Sequence, residues 1–377
     1  MSASKTVKIK CADFYPLEVG FFYVKKGDFL GDVELHRVSF YINLGGTLMS
    51  LNSRSIVVRD IRIPEDYEPL ARLLNMIEPG STTAASLEEE DQQMPATSFL
   101  RFDEDGRLVG FGRTRVIAEN ENGEIIGYGA CFRAPWVEPG QLGSTFCVHP
   151  DFRNQGVGEM ILSHIVNWAN DNKASELTSI VMDWIDGSLP FVEKRGFTVD
   201  AHVFELELDL QRFDQENMDN FFNNSIQFVT LADMPGEDSE QKLYELFVET
   251  SKDNPGQYGN LPPFEQWRNE FLPKDISRTD WVFIALDGGQ LVGVTQLFST
   301  EDEGVLYTNY TGVRKDYRGR GIAKALKLIS IKAAKNEGAH TMTTDSEENN
   351  APMQHINRSL GYKPGNGHYR IIRKLGN

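Results

Sequence analysis

Val148-His-Pro-Asp-Phe-Arg153-Asn-Gln-Gly156-Val-Gly158 and Val313-Arg-Lys-Asp-Tyr-Arg318-Gly-Arg-Gly321-Ile-Ala323 are one pattern written twice, 165 residues apart. Each follows a short apolar run, sets an Arg three residues ahead of a Gly, and opens an amphipathic stretch. After the first copy the apolar positions are Met160, Ile161, Leu162, Ile165, Val166, Trp168 and Ala169; after the second they are Ile322, Ala325, Leu326, Ile329 and Ala333. Both sets keep the period of a helix. Gly196-Phe197 answers Gly361-Tyr362 at the same offset of 165. A duplication in register over this length predicts two copies of one strand–loop–helix module.

Small residues at positions 156, 158, 321 and 323 let a ligand come close to the backbone. The first turn of the following helix offers unpaired N–H groups and the positive end of its dipole to an anion. Successive N–H groups in such a loop wrap a phosphate, and a pyrophosphate is the natural occupant. Arg153 and Arg318 add positive charge at its mouth. No Gly-Lys-Ser/Thr follows either loop and the Gly-x-Gly-x-x-Gly spacing is missing, so neither a Walker loop nor a dinucleotide fingerprint is written here.

Outward from the loops, the same order of elements appears twice. In the first module strands are expected at 55–59, 108–118, 124–132, 143–148, 179–184 and 202–210. Helices are expected from near Glu65, over an acidic and solvated stretch Ser86–Gln93, after Gly158, and at Leu189–Lys194. Asn120-Glu-Asn-Gly123 and Asp287-Gly-Gly289 are hairpin turns. In the second module strands are expected at 226–230, 281–286, 291–298, 305–313, 341–345 and 369–373, with helices at 240–250, through Trp267 and Phe271, after the loop, and at 351–359. This gives an N-terminal β extension over residues 1–55, a first domain over 56–210, a polar linker over 211–225 and a second domain over 226–377.

The 377 residues are 40% hydrophobic and 25% charged, enough for packed cores. A formal charge of −17 argues against a nucleic-acid binder, which needs a basic surface to neutralise phosphates. It suits a cationic partner such as an amine, although acidic surfaces also keep proteins soluble. Cys11, Cys131 and Cys147 show neither paired nor metal-ligand spacing, so no disulfide framework or metal site is expected. A reducing, cytoplasmic setting follows. No stretch reaches the roughly 18 apolar residues of a membrane span, and no signal peptide is expected.

The two loops resemble the acetyl-CoA-binding motif of the GNAT family of N-acetyltransferases, Gln/Arg-x-x-Gly-x-Gly/Ala. The run Asn350 to Leu360-Gly361-Tyr362 resembles the family's later segment, an Asn, a short helix and Leu-Gly-Phe; Leu189 to Gly196-Phe197 is a looser version. The likeness covers about residues 56–377 and makes the chain similar to a tandem GNAT protein. It implies an α/β (α+β) fold in two tandem domains, each a mixed, twisted sheet with helices on both faces. A bulged strand before each loop is implied to splay from its neighbour. The cofactor's pantetheine arm then pairs with Phe146, Cys147 and Val148, or with Thr311, Gly312 and Val313. Its pyrophosphate is implied to lie on Arg153, Asn154, Gln155, Gly156, Val157 and Gly158, or on Arg318, Gly319, Arg320, Gly321, Ile322 and Ala323. Asn350 and Asn357 join the cofactor-binding set. The implied reaction moves an acetyl group from acetyl-CoA to the amine of a small molecule by direct attack.

Acyl transfer needs a base for the ammonium, a donor for the oxyanion and, where useful, an acid for the thiolate. Many family members carry the acid as a Tyr four residues before the Gly of Leu-Gly-Phe; here those positions are Val192 and Asn357. Some place a Glu base on the bulged strand; here those positions are Leu142 and Tyr307. The remaining polar candidates are Tyr307, Tyr310 and Asp345 in the second module, against Asp183 in the first. The second module is therefore expected to be the reaction centre, with Tyr307 and Asp345 as its catalytic residues, and the first to bind cofactor without turnover or to shape the cleft. The competing expectation is a noncatalytic acyl-CoA-binding or sensing protein.

Overall fold

The computed structural model describes residues 56–77, 80, 82–95, 97–134, 137–213, 225–255, 261–273, 277–300 and 302–376. The expected N-terminal β extension (1–55), Cys11 and most of the expected linker (214–224) lie outside the described residues. The chain divides into two compact units, the first running to Thr178 and taking back residues from Lys374 onward, the second covering Ser179–Arg373.

In the first unit, β1 (Val57–Asp60), β4 (Gly112–Glu119), β5 (Ile125–Arg133), β6 (Gln141–Val148) and the start of β7 (Glu176–Met182) lie side by side in that order, while β2 (Arg101–Phe102) and β3 (Leu108–Val109) form a small separate hairpin. The single strand expected over 108–118 is thus broken: Gly110 turns with φ +97° and parts β3 from β4. Helices α1 (Tyr67–Ile77) and α3 (Val157–Asp171) pack on this sheet, with α2 (Ala84–Gln93) against α1. Helix α3 buries Val157, Ile161, Leu162, Ile165 and Ala169. Each large aliphatic among them contributes on the order of 1.5–3 kcal/mol, an upper estimate because the unfolded chain is partly collapsed. Gly127 on β5 permits this approach, since a Cβ there would sit 2.7 Å from Ile161 Cδ1. Met160 and Trp168 fit the period but flank the buried stripe, and Met160 is exposed.

Helix α2 is less solvated than its acidic sequence suggests. Asp91 turns inward, accepting from Arg115 at 2.8 and 2.9 Å, from Arg113 at 2.7 Å and from the Tyr67 hydroxyl. Burial works against the Asp91 charge, but the donated hydrogen bonds and the two guanidiniums outweigh it and hold the carboxyl below its ordinary value.

The second unit contains α4 (Ser188–Glu193) and a sheet in the order β14 (Lys363–Lys374), β8 (Thr198–Asp209), β13 (Thr341–Glu347), β12 (Val305–Val313), β11 (Gln290–Ser299), β10 (Val282–Asp287), β9 (Gln227–Thr230). All pairs are antiparallel except β12 with β13, which is parallel. Strand β8 closes the first repeat in sequence, yet it lies between β13 and β14. Side chains alternate between two cores, as a strand's period of two demands. Phe283 and Ala285 join Leu326, Ile331 and Tyr362 under α7 (Ile322–Asn336) and α8 (Ala351–Ser359). Val282, Ile284 and Leu286 join Leu243, Leu246, Trp267 and Phe271 of α5 (Glu237–Ser251) and α6 (Phe264–Phe271). Helices therefore cover both faces of a mixed sheet, as expected.

Candidate active site

The two loops are built alike, bond for bond. Arg153 Nε donates to the carbonyl of Val148 at 3.3 Å, and Arg318 Nε to that of Val313 at 3.0 Å. Each Arg therefore staples its loop to the end of the strand that enters it, a role beyond the free positive charge read from the sequence. Arg318 also holds Asp253 at 2.8 Å. Gln155 Nε2 donates to the carbonyl of Asp151 at 2.9 Å, and Arg320 Nη2 to that of Asp316 at 2.8 Å, with its guanidinium 4.7 Å from the Tyr317 ring. Asn154 and Gly156 have φ of 60° and 87°; Gly319 and Gly321 have 74° and 80°. This turns successive N–H groups inward as an anion nest. A Cβ on Gly156 or Gly321 would meet no atom within 4 Å, so the space over each loop is open. Val157 and Ile322 are buried and anchor the helices that begin there, with Gly158 and Ala323 in the first turns. The loops fit a pyrophosphate.

The strands entering them differ. In the first unit β6 pairs with β5 without a shift, from Phe132 opposite Gly143 through Gly129 opposite Phe146 and Tyr128 opposite Cys147 to Gly127 opposite Val148. In the second, the register of β12 on β11 slips between Thr308 and Tyr310, leaving Asn309 as a bulge. Strand β12 pairs with β13 only over Val305–Tyr307. Past that point β12 follows β11 to Val313, whereas β13 follows β8 to Glu347, so a gap opens between them. Thr311 faces the β11 side, its hydroxyl 2.8 Å from that of Thr295. Gly312 is required: a Cβ there would lie 2.7 Å from Thr250 Oγ1 and 2.8 Å from the Tyr310 ring.

The gap begins beside Tyr307 and Asp345, and these two touch. The Tyr307 hydroxyl donates to Asp345 Oδ2 at 2.8 Å. Burial raises the Asp345 carboxyl to about 7, with the Tyr307 bond opposing and the Glu205 charge adding to the rise. Glu205 stands directly across from Asp345 in the β8–β13 register, and its own carboxyl is pushed up by burial and by Glu207 and Asp302. Tyr310 is spent elsewhere: its hydroxyl is 2.9 Å from Thr250 Oγ1, and burial raises it to about 12.

Asn350 caps α8, its side-chain oxygen accepting from the Met353 N–H at 3.3 Å. Asn357 is 1% exposed, and neither its amide nitrogen nor its amide oxygen has a hydrogen-bond partner. In the first repeat Leu142 and Val192 are fully buried apolar residues. Asp183 accepts from the Gly367 N–H at 2.9 Å and from His202 at 3.0 Å, which accounts for its carboxylate. The thiols of Cys131 and Cys147 are both pushed up by burial, Cys147 to about 12. Reading residue types alone overlooks Lys327, which is 2% exposed with its ammonium 5.2 Å from the Tyr362 ring centre. Only the repeat offset flags it, because the matching position is Leu162. Among the described residues, no helix is long and apolar enough to cross a membrane.

A doubled anion nest, a bulged strand and an opened sheet give the chain a recognisable architecture. The family model "Acetyltransferase (GNAT) family" matches residues 67–197 and 241–362, and the chain belongs to that family. The family is one of acetyltransferases. Two solved structures share the architecture. One is a GCN5-related N-acetyltransferase from Sphaerobacter thermophilus, 20% identical, TM-score 0.62, covering 85% of this chain and 97% of that one. The other is a tandem GNAT protein from the clavulanic acid biosynthesis pathway, 16% identical, TM-score 0.59, covering 86% of this chain and 99% of that one. No curated protein matches this chain.

Proposed function

We propose that the chain transfers an acetyl group from acetyl-CoA to the amine of a small molecule, that the second unit is the reaction centre, and that the first holds a cofactor without turning it over. The observation that carries this reading is the Tyr307–Asp345 hydrogen bond at the start of the gap that leads to the Gly321 loop. Bound acetyl-CoA would supply an activated acetyl thioester. The pyrophosphate end is assigned to the backbone of 318–323, with the chain of the cofactor along Thr311, Gly312 and Val313.

An amine arrives as an ammonium and attacks only as the free base. A carboxylate near 7 divides its time evenly between proton acceptor and acid at neutral pH, which suits a general base. Tyr307 holds Asp345 Oδ2, leaving Oδ1 to take the ammonium proton. The bulge at Asn309 interrupts the β11 ladder, and a backbone N–H released there would serve as the oxyanion donor. Glu205 beside Asp345 favours a cationic substrate over a neutral or acidic one.

The test pairs calorimetry with CoA and a thiol-release assay over a panel of small primary amines. Binding of CoA with amine-dependent thiol release supports the proposal. Binding without release on any amine replaces it by an acyl-CoA-binding or sensing role, and failure to bind CoA removes both.

A further inference from the structure

Five buried or sheet positions change character between the repeats. Leu142, Ile180, Leu162, Val192 and Phe197 of the first correspond, at the offset of 165, to Tyr307, Asp345, Lys327, Asn357 and Tyr362 of the second. Tyr307 and Asp345 lie on one face of the second sheet. Leu306 and Met342, one step out of phase with them, lie in the core that also contains Tyr362 and the buried side of α7. Lys327 and Asn357 therefore belong to the opposite face. There the Lys327 ammonium sits 5.2 Å from the Tyr362 ring centre, and the Tyr362 N–H donates to the Asn357 carbonyl at 3.1 Å. The side-chain amide of Asn357, on α8, is buried with both polar atoms unpartnered. A buried amide without partners costs stability unless something outside the chain completes it.

We propose that Lys327 is a catalytic residue: its ammonium protonates the sulfur that leaves on acetyl transfer, with Tyr362 and the Asn357 amide flanking that sulfur. This rests on the second unit being the reaction centre. The ammonium first gives one proton to Asp345, which passes it to water; the free amine nitrogen then bonds the acetyl carbon, and its second proton goes to the ionised Asp345. The carbon–sulfur bond breaks with its electron pair passing to sulfur, which takes a proton from Lys327 Nζ. Neutral Lys327 regains a proton from water, and Asp345 returns one, before the next cycle.

The acidity is suitable. Burial alone lowers the Lys327 ammonium to about 7. A thiol ionises near 8.5, so transfer to the thiolate runs downhill by about 1.5 units. The charged groups around α7 lie elsewhere. On β12, Tyr307 is bonded to Asp345 and Tyr310 to Thr250. Asp287 ends β10 and bonds Tyr317, and β11 carries no ionisable side chain. His355 and Arg358 of α8 are exposed, as is Lys332 of α7 itself, while Lys335 donates to the Phe213 carbonyl.

Two variants and the unmodified protein test this. Lys327→Met keeps the volume and removes the charge; Lys327→Arg keeps a charge that does not give up its proton. The first readout is the ultraviolet titration of the thiol of bound CoA. In Lys327→Arg, whose guanidinium stays charged, it should ionise at least about one unit below its value in Lys327→Met, because a nearby cation favours the thiolate. The wild-type value should lie between the two, because Lys327 is neutral above about 7. The second readout is turnover, which should fall at least about 100-fold in both variants and lose its alkaline limb near pH 7. Equal thiol titration in Lys327→Arg and Lys327→Met, or turnover within twofold of wild type in either variant, overturns the proposal. So does a wild-type pH profile of turnover with no alkaline limb near pH 7, a result that needs no variant to fold. Wild-type protein that binds CoA yet acetylates no amine contradicts the proposed function instead.

Discussion

The two repeats agree in their loops and disagree in almost everything that chemistry would use. Arg153 and Arg318 bond the same carbonyl, Gln155 and Arg320 the same carbonyl, and Gly156 and Gly321 adopt the same left-handed turn. Against that sameness, β6 is regular where β12 is bulged, and Leu142 and Ile180 stand where Tyr307 and Asp345 make their hydrogen bond. A cradle depends on backbone turns and is preserved by glycine; a reaction centre depends on side chains and is lost by a few core substitutions. On the proposed reading, anion binding and acyl transfer are separable properties of one module.

Substitutions in the second repeat should bite, and their counterparts should not. Asp345→Asn should lower the thiol-release rate by roughly 10²- to 10⁴-fold, the usual worth of a general base, while calorimetry finds CoA binding intact. Gly321→Val puts a branched side chain into a turn at φ 80° and over the cradle. It should cost about 100-fold in kcat/KM, since an ångström of misplacement suffices for that. Tyr307→Phe should cost about tenfold and shift a pH profile. The Tyr307 bond favours the ionised carboxylate, so losing it moves the Asp345 value above about 7. Turnover needs the ionised form, so the acid limb of kcat should move to higher pH. A limb that moves to lower pH contradicts this assignment. Leu142→Ala should lower stability by about 2–5 kcal/mol in denaturant titrations and leave the kcat of folded protein unchanged.

Helices and loops were legible in the sequence because each is a local code. The 3.6-residue stripe found α3 and α7, and the repeated glycines found the cradles. The ends of β12 and α8 fall where the residues place them. Pairing is not local. Strand periodicity says which side chains share a face but not which strand lies alongside, so the place of β8 between β13 and β14 was invisible, and with it Glu205. The bulge at Asn309 is likewise a property of two strands. Asp91 was read as solvated because an acidic helix looks alike whether its carboxylates face water or Arg115. Lys327 was hidden among Lys324, Lys332 and Lys335, a helix face that reads as solvent-exposed until aligned with Leu162.

The central claim is that one of two equally well-built cradles serves the reaction. Steady-state thiol release by a chain carrying Gly156→Val, with Gly321 intact, tests it most directly. Turnover within about threefold of wild type is predicted, because strain at one left-handed residue costs only ~1–2 kcal/mol of a folded unit's stability. A loss as deep as that of Gly321→Val would place the reaction in the first repeat and contradict the account.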